Sequence, residues 1–158
     1  MQRFLKPTAF RRLLGSLTVM TVLAGCAMGP TFQSIDQVPP DQGQLYIYRK
    51  FSLSLGLGGV HEVRLDGDKE HLRLPHASWQ RVLLTPGTHT VAITGPWEFR
   101  KCMPYPMEVR IQAGQTLYIE NTFRALSQGS IVVGAICPSR LQSAATALED
   151  MAGLRHAN

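Results

Sequence analysis

Residues 79–94, which read WQRVLLTPGTHTVAIT, decide the fold class. Large apolar residues crowd the first part, residues 79–84, whereas apolar and polar residues alternate in the second part, residues 88–94. The dipeptide Pro86-Gly87 between them is a turn signal. A period of two residues is that of a β-strand with one buried face, so this stretch predicts two strands joined by a tight turn.

The same pattern continues on both sides of this stretch. Val63 and Leu65 alternate with charged residues, and the Asp66-Gly67 pair that follows is preferred in two-residue hairpin turns. Further strands are predicted over residues 45–49, 72–74, 107–111 and 116–123, and a last, well-buried strand over residues 130–137. About seven or eight strands, spaced roughly 8–12 residues apart, predict a mostly β domain over residues 44–137 that forms an antiparallel β-sandwich or a small barrel.

The last part of the chain changes its period. Ser139 can cap a helix that ends at Gly153. Apolar residues recur near helical spacing between these two positions, at Leu141, Ala145, Leu148 and Met151. Residues 138–153 are therefore predicted to form one C-terminal amphipathic helix that packs on the sheet or covers its edge.

The N-terminal segment has the pattern of a signal peptide. Residues 1–12 contain four basic residues and no acidic one, and residues 13–24 are largely apolar. A helix of that apolar length spans about 18 Å, whereas the hydrocarbon core of a membrane is about 30 Å thick. The segment is too short for a transmembrane anchor and fits the apolar region of a secretory signal.

This segment ends in Leu23-Ala24-Gly25-Cys26, which resembles the lipobox of bacterial lipoproteins. Small residues before the cysteine let the backbone enter a signal peptidase, and the thiol accepts the lipid. We therefore expect residues 1–25 to be removed and Cys26 to become the lipid-bearing first residue. Residues 26–43 would then comprise the lipidated cysteine and a flexible, extended tether, because they are rich in Pro, Gly and Gln.

The charge balance argues against nucleic-acid binding. The chain has 16 Lys and Arg residues and 11 Asp and Glu residues, a formal net charge of +5. Four of the basic residues and none of the acidic ones precede Cys26, which leaves 12 basic against 11 acidic residues, a balance of +1, after processing. The mature domain thus lacks the excess positive charge that nucleic-acid binding requires.

Four stretches occur in an order that resembles a known group of proteins. They are Leu45-Tyr46-Ile47-Tyr48-Arg49, Val63-Arg64-Leu65-Asp66-Gly67, Leu84-Thr85-Pro86-Gly87-Thr88-His89 and Gly114-Gln115-Thr116-Leu117-Tyr118-Ile119. Together with the lipobox they resemble the small bacterial lipoproteins that carry a β-sandwich domain of unknown function. The resemblance covers roughly residues 43–125 and implies a β-sandwich in the cell envelope, without catalytic residues. In enteric-type bacteria an Asp after the lipidated cysteine retains a lipoprotein in the inner membrane, so Ala27 implies the outer membrane.

Two cysteines remain in the predicted domain, Cys102 and Cys137. Free thiols are unusual in an oxidising compartment, so a disulfide between them is predicted. The alternative is a copper(I) site in which Cys102 acts with Met103 and Met107, since soft sulfur ligands suit Cu(I). A bonded sulfur cannot serve as a thiolate, and because we favour the disulfide we predict no metal and no cofactor.

Four histidines lie in the strand region, at His61, His71, His76 and His89. They lack the short, regular spacing of zinc ligands and are predicted to be surface or partly buried strand residues. Gly56-Leu57-Gly58-Gly59 is predicted to be a hairpin loop and not a dinucleotide-binding turn, because position 61 lacks the third glycine. The chain has neither a nucleophile elbow nor a Ser-x-x-Lys motif, so no enzyme is expected.

The sequence as a whole predicts a lipid-tethered, non-catalytic binding or interaction module on the periplasmic face of the outer membrane. Its partners would be the membrane, through the lipid on Cys26, and an envelope protein or cell-wall component. Two other functions stay open. One is a small-ligand or copper-handling lipoprotein, and the other is an envelope hydrolase or an inhibitor of a wall hydrolase.

Overall fold

The computed structural model describes residues 29–51, 59–67, 69–95 and 106–157 of the chain. The predicted signal peptide, Cys26, most of the glycine-rich loop, Cys102 and Met103 lie outside the described residues. The elements in chain order are β1 (Gly43–Arg49), β2 (His61–Leu65), β3 (Glu70–Leu74), β4 (Ser78–Leu84), β5 (Gly87–Thr94), β6 (Met107–Ile111), β7 (Thr116–Asn121), β8 (Arg124–Gln128), β9 (Ile131–Ile136), β10 (Ser139–Leu141), α1 (Ala144–Met151) and β11 (Arg155–His156).

The strands form a β-sandwich, as predicted, and not a closed barrel. One sheet has five strands in the order β10-β7-β1-β4-β11, and the facing sheet has four strands in the order β3-β2-β5-β6. Among the described strands, β8 and β9 pair only with each other. The core between the two large sheets is aliphatic and consists of Leu45, Ile47, Val63, Leu65, Leu74, Val82, Leu84, Val91, Ile93, Val109, Ile111 and Ile119.

Strand β1 is the centre of the five-stranded sheet. It pairs with β4 on one side and with β7 on the other, and all of its residues are buried. Leu45 and Ile47 belong to the aliphatic core, whereas Tyr46 and Tyr48 belong to a second cluster on the opposite face of the sheet. This outer cluster contains Tyr46, Tyr48, Trp79, Tyr118, Ala147, Met151 and Leu154.

The stretch at residues 79–94 forms two strands, but these strands do not pair as a hairpin. Strand β4 belongs to the five-stranded sheet and β5 to the four-stranded sheet, so the turn at Pro86 carries the chain between the sheets. The turn at Asp66 and Gly67 does join a hairpin, β2 to β3, and both residues have the positive φ angles, 49° and 78°, that a type I′ turn needs.

The five-stranded sheet is mixed, whereas the sequence predicts antiparallel pairing throughout. Strands β1 and β7 pair in parallel, and so do β4 and β11. All pairs of the four-stranded sheet are antiparallel. Alternation of apolar residues reports which face of a strand is buried but not the direction of its neighbour, so the sequence pattern does not distinguish the two arrangements.

The C-terminal helix is shorter than the predicted 138–153. Residues Ser139–Leu141 form strand β10, which pairs with β7, because their backbone groups complete the edge of the five-stranded sheet. The cap is Ser143, whose side chain accepts a hydrogen bond from the backbone N–H of Thr146. The helix ends at Met151, and Gly153, with a φ of 86°, turns the chain into β11.

Residues 29–42 do not form the flexible tether that the sequence predicts. The backbone N–H of Phe32 donates to the Leu154 carbonyl at 2.8 Å, and the Phe32 ring meets the Tyr46 ring edge-on, with the ring centroids 6.0 Å apart. Farther along, the Asp36 N–H donates to Tyr46 Oη at 3.0 Å. We call residues 29–42 the N-terminal strap. The strap lies on the outer cluster because Phe32 packs against the apolar side chains of that cluster.

The hairpin of β8 and β9 replaces the well-buried last strand predicted over residues 130–137. Leu126 and Ile131 are 42% and 70% exposed. Cys137, immediately after β9, is buried. The apolar composition of this stretch predicts a strand correctly, but Ile131 at the start of β9 and Leu126 of β8 are exposed.

Candidate functional site

A buried polar cluster lies where the two sheets and the end of β9 meet. His61, the first residue of β2, is fully buried, and its Nδ1 lies 2.5 Å from Asn121 Oδ1 at the end of β7. The Asn121 Nδ2 donates to Ser139 Oγ at 3.2 Å, which fixes the amide with its oxygen toward the imidazole. Because an amide oxygen only accepts, Nδ1 carries the proton and Nε2 is left as the acceptor nitrogen.

Cys137 completes this cluster. Its Sγ lies 3.8 Å from His61 Nε2, and the residue is only 1% exposed. His61 belongs to the four-stranded sheet and Asn121 to the five-stranded sheet, while Cys137 stands between β9 and β10. The cluster of His61, Asn121, Ser139 and Cys137 therefore connects the two sheets to the base of the exposed hairpin.

A buried cation influences this cluster. Arg49, at the end of β1, is 4% exposed, and its Nη1 donates to the Gly59 carbonyl at 2.6 Å. Burial lowers the pKa of Arg49 to about 10, so the guanidinium stays charged at neutral pH. Burial also lowers the pKa of His61 to about 4, and the Arg49 charge adds to this effect, while the Asn121 hydrogen bond opposes it. The imidazole of His61 is therefore neutral near pH 7.

The order of sulfur, imidazole and amide has the form of a nucleophile, base and orienting group. Here His61, Asn121 and Cys137 are each at most 1% exposed, so within the described part of the chain a substrate has no contact with the sulfur. The described residues also contain no group of three or more His, Cys, Asp or Glu that could hold a metal ion. The arrangement connects the two sheets through hydrogen bonds.

The predicted site residues are only partly brought together. Cys137 joins the buried cluster, whereas its predicted partner Cys102 lies outside the described residues, as does Cys26. The prediction of surface or partly buried histidines is wrong for His61, which is fully buried, and for His89, which is 8% exposed. His89 Nδ1 lies 2.8 Å from Asp66 Oδ2, beside the hairpin turn.

A second polar cluster surrounds Glu120 on the outer face of the five-stranded sheet. This carboxylate is 1% exposed and accepts from Lys50 at 3.1 Å, from Arg140 at 2.8 Å and from Gln142 at 2.6 Å. Burial raises the pKa of Glu120, but the hydrogen bonds from Arg140, Lys50 and Gln142 outweigh it, so the net pKa is lowered and the group is ionised. Lys50 also pairs with Asp150 of α1 at 3.0 Å.

This second cluster attaches the helix to the sheet. Tyr48 Oη donates to Asp150 Oδ2 at 2.9 Å, directly beside the Lys50 contact. Every charge in it already has a partner of opposite sign within the domain. We therefore interpret the Glu120 cluster as structural.

Some of these residues could have been found from the sequence. His61 stands two residues before Val63, which itself stands two before Leu65, so the period of two places all three on the buried face. The same period places Arg49, two residues after Ile47, and Asn121, two residues after Ile119, on the faces of their strands that carry core residues. The sequence does not predict which residues they contact, because those contacts depend on how β2, β7 and the segment around Cys137 pack together.

No protein-family model matches the chain, and no match is found among the curated proteins or the solved structures. The clusters are therefore interpreted from their own chemistry. Over the described ranges, no helix has the length and apolar character needed to cross a membrane.

We predict that His61 makes the folded state less stable below neutral pH. The ordinary pKa of 6.5 applies to the unfolded chain, whereas the folded pKa is about 4. The unfolded state therefore takes up the proton first, so stability falls as the pH drops from about 6.5 to about 4. Between pH 7 and pH 5 the loss from this one residue is about 2 kcal/mol.

Urea unfolding of the wild type and of His61→Gln at both pH values measures this contribution. We expect the difference in unfolding free energy between the two pH values to shrink by about 2 kcal/mol in His61→Gln. His71→Gln, at an exposed histidine of β3, is the matched control for the substitution itself. An equal pH dependence in the wild type and in His61→Gln would contradict the prediction.

Proposed function

We propose that the protein is a lipid-anchored, non-catalytic binding module of the bacterial cell envelope, held through Cys26 on the periplasmic face of the outer membrane. The observation that carries the proposal is the Leu23-Ala24-Gly25-Cys26 motif after a short apolar segment with a basic start. Cys26 stands three residues before Gly29, whose backbone N–H donates to the His156 carbonyl of the domain. A lipid attached at Cys26 would therefore be joined to a folded β-sandwich.

The burial and internal hydrogen bonding of the polar clusters support a binding function more than a catalytic one. The two polar clusters around His61 and Glu120 are buried and satisfied by contacts within the domain. The hairpin of β8 and β9, in contrast, exposes Leu126 and Ile131. Exposed apolar side chains can contribute to a protein contact where they form a contiguous patch. We propose that this hairpin contacts an envelope protein.

A disulfide between Cys102 and Cys137 belongs to the same proposal, since the periplasm is oxidising. Strand β5 ends at Thr94, which lies opposite Glu62 of β2, the residue next to His61. His61 in turn contacts Cys137. The chain that leads from β5 to Cys102 thus starts at the end of the sandwich where Cys137 is buried, which supports the pairing.

We predict that Cys26→Ser abolishes lipidation, because the hydroxyl does not replace the thiol that accepts the diacylglycerol. Growth with a fatty-acid analogue followed by detection of the label on the purified protein is the measurement. The label should disappear in Cys26→Ser and persist in Cys102→Ser, which removes a different thiol. Label that persists in Cys26→Ser would refute the anchor.

We predict that the β8–β9 hairpin crosslinks to an envelope protein in living cells. A photoreactive amino acid in place of Ile131, which is 70% exposed, should give a discrete crosslinked product that mass spectrometry identifies. The same amino acid in place of Glu149, exposed on α1, is the control. Absence of a product at position 131, or the same product at both positions, counts against the hairpin.

We predict that Cys102 and Cys137 contain no free thiol in protein exported to the periplasm. The Cys26→Ser variant has only these two cysteines, so thiol counting on the denatured, unreduced variant is unambiguous. A bond that closes a loop of about 35 residues contributes roughly 3–4 kcal/mol, so reduction should lower the melting temperature by several degrees. Two free thiols would reject the bond and favour the copper alternative.

A further inference from the structure

The N-terminal strap joins the edge of the five-stranded sheet within three residues of Cys26. The Gly29 N–H donates to the His156 carbonyl at 3.2 Å, and the His156 N–H donates to the Pro30 carbonyl at 2.8 Å. Thr31 and Arg155 form an antiparallel bridge. Because β11 itself pairs with β4, the strap adds backbone hydrogen bonds beyond the last strand of the sheet.

The rest of the strap is also fixed to the domain. The Gln44 side chain donates to the Asp36 carbonyl at 3.0 Å, and the Arg81 Nη2 donates to the Gln37 carbonyl at 3.2 Å. The Phe32 ring lies against the Trp79 ring, with the centroids 5.5 Å apart. The tether could therefore become longer only if these contacts of the strap were broken.

This attachment sets how far the domain can lie from a lipid on Cys26. Only Ala27 and Met28 separate Cys26 from Gly29. A chain spans at most about 3.3–3.6 Å per residue, so Gly29 is held within about 11 Å of the lipidated residue. Residues 27–42, if free, would reach about 50 Å when fully extended.

We infer that the lipid on Cys26 seats the domain directly on the membrane surface, with the sheet edge formed by residues 29–32 and β11 facing the lipid headgroups. The inference rests on the proposed lipidation of Cys26. The occupant of this edge is thus the bilayer that carries the anchor, because the length of chain between them leaves no room for another protein layer.

The charge at this edge fits the assignment. Arg155 is exposed beside Thr31 and makes no ion pair with the described residues. A guanidinium close to an anionic surface is attracted to it and can bind phosphate oxygens bidentately. Arg155 is therefore placed to contact phosphatidylglycerol headgroups.

Neutron reflectometry on the lipidated full chain in a supported bilayer of phosphatidylethanolamine and phosphatidylglycerol tests the seating. The measured quantity is the thickness of the water layer between headgroups and protein. We expect no resolvable water layer for the wild type. A matched variant with about 16 Gly and Ser residues inserted between Met28 and Gly29 should give a layer of roughly 20 Å.

Hydrogen exchange on the same bilayers tests which edge faces the lipid. The amide hydrogens of Gly29, Thr31 and Phe32 and those of β11 should exchange more slowly in the wild type than in the spacer variant. Arg155→Gln should weaken this protection when phosphatidylglycerol is present. Arg110→Gln, which removes an exposed arginine from the edge strand of the other sheet, should have no effect.

The outcomes separate the two proposals. A mass of the N-terminal peptide without lipid on Cys26 overturns both the anchor and the seating. A lipidated wild type with a water layer as thick as that of the spacer variant overturns the seating and leaves the anchor in place. Equal effects of Arg155→Gln and Arg110→Gln, or protection at a different edge, overturn the assignment of the membrane-facing edge.

Discussion

Strand β1 is buried along its whole length, and both of its faces therefore need a covering layer. The four-stranded sheet covers Leu45 and Ile47, while helix α1 and the N-terminal strap together cover Tyr46 and Tyr48. Each tyrosine buries an aromatic ring but carries a hydroxyl that needs a partner. The Asp36 N–H of the strap and the Asp150 carboxylate of the helix provide those partners. The strap and the helix are thus each held in place by a hydrogen bond to the hydroxyl of a tyrosine that they bury.

The sequence predicts the strands of this domain well because alternation of apolar and polar side chains is a local property. It predicts their connections less well. The Pro86 turn crosses between the sheets, whereas the Asp66-Gly67 turn closes a hairpin. Only the second has a dipeptide whose backbone preference dictates the pairing of its flanking strands. The parallel pairing of β1 and β7 depends on a contact between distant segments, which no local pattern encodes.

The same distinction applies to the polar residues. The burial of His61 follows from its place in an alternating strand, but its hydrogen bond to Asn121 needs two sheets to meet. The composition of the strap predicts a tether, because Pro, Gly and Gln are common in free segments. Phe32, with its edge-on contacts to two aromatic rings, outweighs that composition. Composition describes an average segment, and one large apolar side chain is enough to change where a segment lies.

The bridge between Thr31 and Arg155 joins residues that lie near opposite ends of the described chain. Contacts of such long sequence separation form late, because the loop that they close must first be ordered by other contacts. Until β11 has formed, the strap has no strand to pair with, and the edge of β4 presents open backbone groups. Residues 155–156 therefore determine when this edge of the sheet is closed, and a chain that stops short of Arg155 would retain an edge prone to aggregation.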